Sequence, residues 1–312
     1  MDFDWTMALG SFLVAVVVGL TGMGGGALMT PMLVTFFGVS PLAAVSSDLV
    51  AAAVMKPVGS AVHYRQGTIN MRLVAWLCVG SVPAAFSGVL VARALGDGEG
   101  VQRVIEIAMG TALLVAAAGL VVRGLLARRA GGDAPDGAEA PEITVRPLPT
   151  VLVGAVGGLV VGITSVGSGS LIIVALLALY PALKANQLVG TDLLQAVPLV
   201  FAAALGHLLF GDFRMEVTAA LLVGSVPGVY LGSRISSRAP GGLIRRALAF
   251  VLVASALKMF GVPLTALAWI LVAMLAAATA VWLVQRNRAP RPSATVLADD
   301  TGGADERVDQ RV

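Results

Sequence analysis

Long apolar runs separated by short polar breaks cover most of the chain, at about 6–38, 41–62, 71–94, 101–126, 148–183, 187–210, 215–235, 243–261 and 264–284. Within each run the apolar residues are contiguous and do not alternate with polar ones, so helices are predicted and barrel strands are not. Most runs match the roughly 20 residues a helix needs to cross the hydrocarbon core of a bilayer. The runs at 6–38 and 148–183 are too long for one span, and a glycine-rich stretch interrupts each near its middle. Residues 127–147 form a polar, Gly/Ala/Pro-rich, charged linker, and residues 285–312 form a polar tail whose composition predicts disorder.

The pattern repeats once along the chain. Gly19–Leu28 pairs without a gap with Gly162–Leu171. After one inserted residue the register holds: Asp48-Leu49 meets Asp192-Leu193, His63 meets His207, Gly67 meets Gly211, and Gly80-Ser81-Val82-Pro83 meets Gly224-Ser225-Val226-Pro227. The two histidines of the chain are one matched pair. Repeat 1 is therefore 1–126 and repeat 2 is 148–262. Residues 263–284 have no counterpart and read as an added span.

Composition supports a membrane setting. Hydrophobic residues make up 57% of the chain and charged ones 12%, against about 25% charged in a soluble domain; the mean hydropathy is +0.90. The net charge of +3 and the pI near 9.4 do not indicate nucleic-acid binding, because the basic residues flank apolar runs, where they orient a membrane protein. The lone cysteine, Cys78, lies inside a run, so an intrachain disulfide and a thiolate metal cluster are excluded. Met1–Trp5 is acidic where a signal peptide is basic, so the first run is kept as a membrane segment.

Charge also chooses between topologies. If each long run is one span, Lys and Arg divide evenly between the two faces. If each is a hairpin that enters and leaves on one side, only Arg93, Arg103, Arg214 and Lys258 fall on one face. Arg65, Arg72, Arg123, Arg128, Arg129, Arg146, Lys184 and the later loop arginines then share the other, as the positive-inside rule requires. The expected fold is all-α: a polytopic membrane protein of two inverted repeats. Each repeat is a broken or re-entrant helix hairpin plus three transmembrane helices, and one extra C-terminal span follows. The N-terminus is expected outside, the linker and C-terminus in the cytoplasm, and the site near the repeat interface.

The chemistry-bearing residues lie at the breaks. Thr21, Gly22, Gly24, Gly25 and Gly26 form the first, and Thr164, Ser165, Gly167, Ser168 and Gly169 the second. A helix starting after a break points unpaired N–H groups and a partial positive charge inward. Hydroxyls add donors, and glycine lets a ligand approach the backbone. Together they suit a small anion with several oxygens; close helix packing by small residues is the competing explanation. Asp48 and Asp192, beside Ser47 and Thr191, are membrane-embedded carboxylates that suit proton coupling, or else cap the helices that follow. Lys56 is the basic residue inside an apolar run and is either a counter-charge for an anion or a snorkelling side chain; Val200 takes its place in repeat 2. The histidines, at span ends, read as interfacial hydrogen-bonding residues, and Gly-Ser-Val-Pro as a structural kink.

With these residues in hand, the sequence resembles the sulfite exporter TauE/SafE family of membrane permeases over roughly residues 8–262. The resemblance rests on the paired breaks Gly19–Leu28 and Gly162–Leu171, the Gly-Ser-Val-Pro pair and the two-repeat layout. It implies a carrier of sulfite, sulfonates or related organosulfur anions in the cytoplasmic membrane. Ser165 and Ser168 stand where the first break has Gly22 and Gly25, so the two breaks are not equivalent. The expected function is secondary transport of a small anion, with energy from a gradient or a separate partner since no Walker-type motif is present; no cofactor and no metal are expected. The expected partners are the anion and the lipid bilayer, with no nucleic acid; a homo-oligomer is left open. An anion channel and a non-transporting membrane subunit are the alternatives. An intramembrane enzyme is disfavoured, because the two histidines fall on opposite faces.

Overall fold

The computed structural model describes residues 4–21, 25–65, 69–95, 98–129, 144–167, 171–181, 183, 185–236, 241–274 and 276. Among them the regular structure is helical: α1 (Trp5–Thr21), α2 (Gly26–Phe36), α3 (Pro41–Arg65), α4 (Met71–Ala94), α5 (Glu99–Arg129), α6 (Pro147–Thr164), α7 (Leu171–Leu179), α8 (Ala185–Phe210), α9 (Met215–Ser236) and α10 (Gly241–Met259). A further apolar helix covers Leu264–Met274, the described part of the added span. Met1–Leu267 forms one compact unit and Ala268–Val312 a second.

Helix ends follow local chemistry. Asp4 starts α1 by accepting the N–H groups of Thr6 and Met7 at 2.9 Å each. The Thr6 hydroxyl and the Met7 N–H bonded to it hold this exposed carboxyl below the usual range. Asn70 caps α4 by accepting from the Leu73 N–H. Pro147 opens α6, where its missing N–H costs nothing. That helix stops at Ser165, which adopts the left-handed conformation with φ 58°.

Met71–Ala94, Gly100–Val122, Pro147–Thr164, Gly190–Phe210 and Met215–Gly232 are long and apolar enough to cross a membrane. At 25 residues α3 is long enough too, but it carries Asp48, Lys56, His63 and Arg65. The long runs do break into two helices each. They are not matched halves, however: α1 and α6 have 17 and 18 residues, while α2 and α7 have 11 and 9. Only the second member of each pair is far too short to span.

The two most extensive helix pairs are α1 with α9 and α4 with α6. Both are glycine interfaces. A Cβ at Gly80 would overlap the Val151 carbonyl and crowd the Ala155 N–H; one at Gly224 would overlap the Ala8 carbonyl and crowd the Phe12 N–H. Two turns on, Gly88 abuts Leu159 and Gly162, and Gly232 abuts Val16 and Gly19. Each contact in one pair has its repeat-related counterpart in the other. Where hydrocarbon removes the hydrophobic drive between helices, such backbone approach is what holds them together. The glycine of Gly-Ser-Val-Pro is thus the packing residue of the motif, alongside Pro83 and Pro227 within α4 and α9.

Exchange of the two halves maps the principal contacts onto themselves: α1–α9 onto α6–α4, α4–α8 onto α9–α3, and α3–α8 and α5–α10 each onto itself. The self-mapped pairs are antiparallel. Ser40 and Ser46 at the start of α3 meet Asp212 and His207 at the end of α8, while Asn70, beyond the end of α3, meets Thr191 near the start of α8. Arg103 at the start of α5 donates to the carbonyls of Met259 and Phe260 at the end of α10.

Candidate functional site

Asp48 is the eighth residue of α3 and fully buried. One carboxylate oxygen, Oδ2, accepts the Thr30 hydroxyl of α2 at 2.7 Å and the Ser165 hydroxyl of the second break at 2.7 Å. The other, Oδ1, has no hydrogen-bond partner among the described residues. The capping interpretation is overturned: α3 begins at Pro41, two turns earlier, and the side chain bonds to two other segments instead of its own helix end. Asp192 sits likewise inside α8, eight residues in and buried, and not at its cap.

The same clasp brings the two breaks together. Gly26, the first residue of α2, packs so closely on Ser165 that a Cβ there would overlap the Ser165 carbonyl. Gly25 lies against Met55 of α3. Gly167, at φ 121°, holds a conformation side chains rarely adopt, and its space is filled by Leu171. Thr164 turns its hydroxyl back to the Val160 carbonyl and accepts the Val166 N–H, fixing the break. Of the remaining break residues, Thr21 ends α1, its side chain outside the described set, and Gly22, Gly24, Ser168 and Gly169 lie outside the described residues.

Lys56 does not snorkel. Only 7% exposed, it interacts electrostatically with Asp192 and, less strongly, with Asp48. The chain thus places two buried carboxylates and one buried ammonium on α3 and α8, one of the pairs that join the two repeats. Ser47 is fully buried with its hydroxyl unpartnered among the described residues, and the Thr191 hydroxyl accepts the Asn70 N–H. His207 is not interfacial: it is fully buried, with Nε2 2.8 Å from the Gly162 carbonyl and Nδ1 2.8 Å from the Ser46 hydroxyl. The side chain of His63 lies outside the described set.

A scan of family models matches the chain to "Sulfite exporter TauE/SafE" over residues 7–259. The chain belongs to the sulfite exporter TauE/SafE family. Among curated proteins of this kind, "Probable membrane transporter protein YjnA" of Bacillus subtilis (strain 168) is 36% identical over 255 residues, 81% of this chain and 98% of that protein. "Probable membrane transporter protein YdhB" of the same organism is 23% identical over 244 residues, 76% of this chain and 92% of that protein. No solved structure matches significantly. As a TauE/SafE member the chain is a multi-pass membrane transporter.

Thr30 is the member of the clasp that sequence pattern did not single out. It lies one turn beyond Gly26, so it shares the face of the break. Its repeat partner, however, is Ile173, and a filter for matched polar pairs discards it. The Ser165 counterpart is Gly22. Asp48 therefore has two hydroxyl donors whose equivalents around Asp192 carry none. A separate groove of about 780 Å³ between α5, α6 and α7 is lined by residues such as Val115, Leu152, Val156 and Ala175; its apolar walls suit lipid chains and offer an anion nothing.

Proposed function

We propose that this chain carries a small oxyanion, with sulfite or a short sulfonate favoured, across the cytoplasmic membrane by proton-coupled secondary transport. The observation that carries the proposal is the clasp in which Ser165 of one repeat and Thr30 of the other donate to Asp48 where the two breaks touch. With Asp48 ionised, both hydroxyls are spent on the carboxylate. A proton on Asp48 removes the charge that repels an anion and lets the two hydroxyls turn to it. The first N–H groups of α2 add donors at the same point, and Lys56 supplies the counter-charge. Asp48, Lys56 and Asp192 together carry one negative charge when all are ionised, so an anion reaches them at least cost together with a proton.

The site so proposed comprises Thr21, Gly22, Gly24, Gly25, Gly26, Thr164, Ser165, Gly167, Ser168 and Gly169, with Ser47, Asp48, Lys56, Thr191 and Asp192 lining or coupling. The antiparallel α3–α8 and α5–α10 pairs favour inverted repeats at 1–126 and 148–262, joined by a cytoplasmic linker, with the N-terminus outside and the tail inside.

The test is uptake of labelled sulfite into liposomes holding the purified protein, with sulfate and methanesulfonate as competitors and with or without an imposed pH gradient. Saturable uptake driven by the gradient is expected, and Asp48→Asn is expected to retain protein fold while losing the gradient response. Flux that does not saturate marks a channel. Absence of flux with every anion returns the chain to a subunit role.

A further inference from the structure

A cavity of about 610 Å³ opens where α4 ends and α8 ends, lined by Leu42, Val89, Arg93, Gln102, His207, Phe210, Gly211 and Asp212. Its chemistry differs from that of a lipid groove. Arg93 is held by one N–H, to the Phe210 carbonyl at 3.0 Å, and its guanidinium lies 5.6 Å from the Phe210 ring centroid. These two contacts fix the group in place and leave the rest of its donor fork without a partner among the described residues. Gln102 uses its oxygen to accept the Leu42 N–H at 3.3 Å, so its amide NH₂ is the end available to the cavity. The opposing carboxylate, Asp212, is engaged by Arg214 at 3.4 Å and by the Ser40 hydroxyl at 3.5 Å. Among the described residues that line the cavity, the Arg93 charge is therefore the one left without a carboxylate partner. The floor is His207, whose ring spans from the Ser46 hydroxyl to the Gly162 carbonyl, three residues before Ser165.

We propose that this cavity is a second anion-binding site, an antechamber on the Arg93 face that receives a small oxyanion through Arg93 and Gln102. Its floor at His207 separates it from the clasp around Asp48. An exposed guanidinium at the wall of the cavity raises the local concentration of anions, and a planar fork matches the oxygens of a sulfite or sulfonate group. In sequence, Ser237 stands at the repeat-related position of Arg93 and Arg246 at that of Gln102. The antechamber rests on the transport proposal for its place on the route, not for its affinity for anions.

The experiment uses the full chain in liposomes, with Cys78→Ser as background and Gln102→Cys as reporter. Modification rates are compared for anionic 2-sulfonatoethyl methanethiosulfonate and a cationic trimethylammonium analogue, each normalised to a free thiol. The anionic reagent is expected to be favoured by on the order of 10-fold. Arg93→Gln is expected to bring the ratio near one, Arg93→Lys to keep it, and methanesulfonate to slow the anionic reaction. Equal rates, a cationic preference, or a thiol silent to both reagents from both sides of the membrane overturns the proposal. Anion preference in a protein that shows no sulfite flux leaves the antechamber standing and removes the transport proposal instead.

Discussion

At Asp48 a single carboxylate oxygen joins three segments, and the ion group around it sets the strongest residue-level expectation. Lys56 is buried with Asp192 and Asp48. Removing the ammonium leaves two buried carboxylates facing each other's field, a loss of about 3–5 kcal/mol where a buried pair is broken from one side. Lys56→Met is therefore expected to lower thermal stability in detergent sharply. Lys56→Met combined with Asp192→Asn is expected to recover much of that loss, because one of the two carboxylates left behind, the one that acts more strongly on Lys56, has gone too. Additive losses in the double variant would show that Lys56 and Asp192 act independently. The asymmetry around the two aspartates was only partly legible. Both carboxylates stand out in sequence as ionisable groups in apolar runs, but Thr30 is unremarkable until folding brings α2 against α3.

Among the elements, the glycine interfaces argue for equal weight on the two halves. Gly80 and Gly224 occupy equivalent places, each with a carbonyl where its Cβ would go. Gly80→Ala and Gly224→Ala are each expected to cost about 1–3 kcal/mol by overpacking, read as parallel falls in unfolding temperature. Gly98→Ala and Gly100→Ala, with open space around them, are expected to be neutral by the same measure. A large effect for one of the first pair alone would break the equivalence of α4–α6 and α1–α9. Sequence pattern marked Gly-Ser-Val-Pro as structural and put weight on its proline. Which residue of the four makes the contact depends on the partner backbone, which the local sequence does not contain.

At the scale of the whole molecule, the direction of helices carries the prediction. A cysteine at Gly98, between α4 and α5, and one at Thr144, before α6, lie on opposite faces of the proposed topology. In a Cys78→Ser background, a membrane-impermeant maleimide added to intact cells is expected to label Gly98→Cys and spare Thr144→Cys. Inverted vesicles are expected to reverse this. Labelling of both from one side would exclude the odd number of crossings per repeat. The break in each long run was readable because hydrogen bonding inside a bilayer forbids lipid-exposed irregular backbone, so a glycine break in an apolar run has few structural solutions. Among these the charge bias of the loops favours the hairpin of the proposed topology.

Sequence by itself determined the membrane setting, the helical class, the duplication and the family, because each depends on patterns read along the chain: run length, periodicity, loop charge and register. It also placed the breaks and the buried ionisable residues. Tertiary structure alone decided that the two breaks touch, that Asp48 takes hydroxyls from α2 and the second break, that Lys56 turns inward to the aspartates, and that His207 is sealed beneath a polar cavity. These are contacts between residues far apart in the chain. They depend on helix directions and on backbone approach across glycine, and a one-dimensional pattern holds neither.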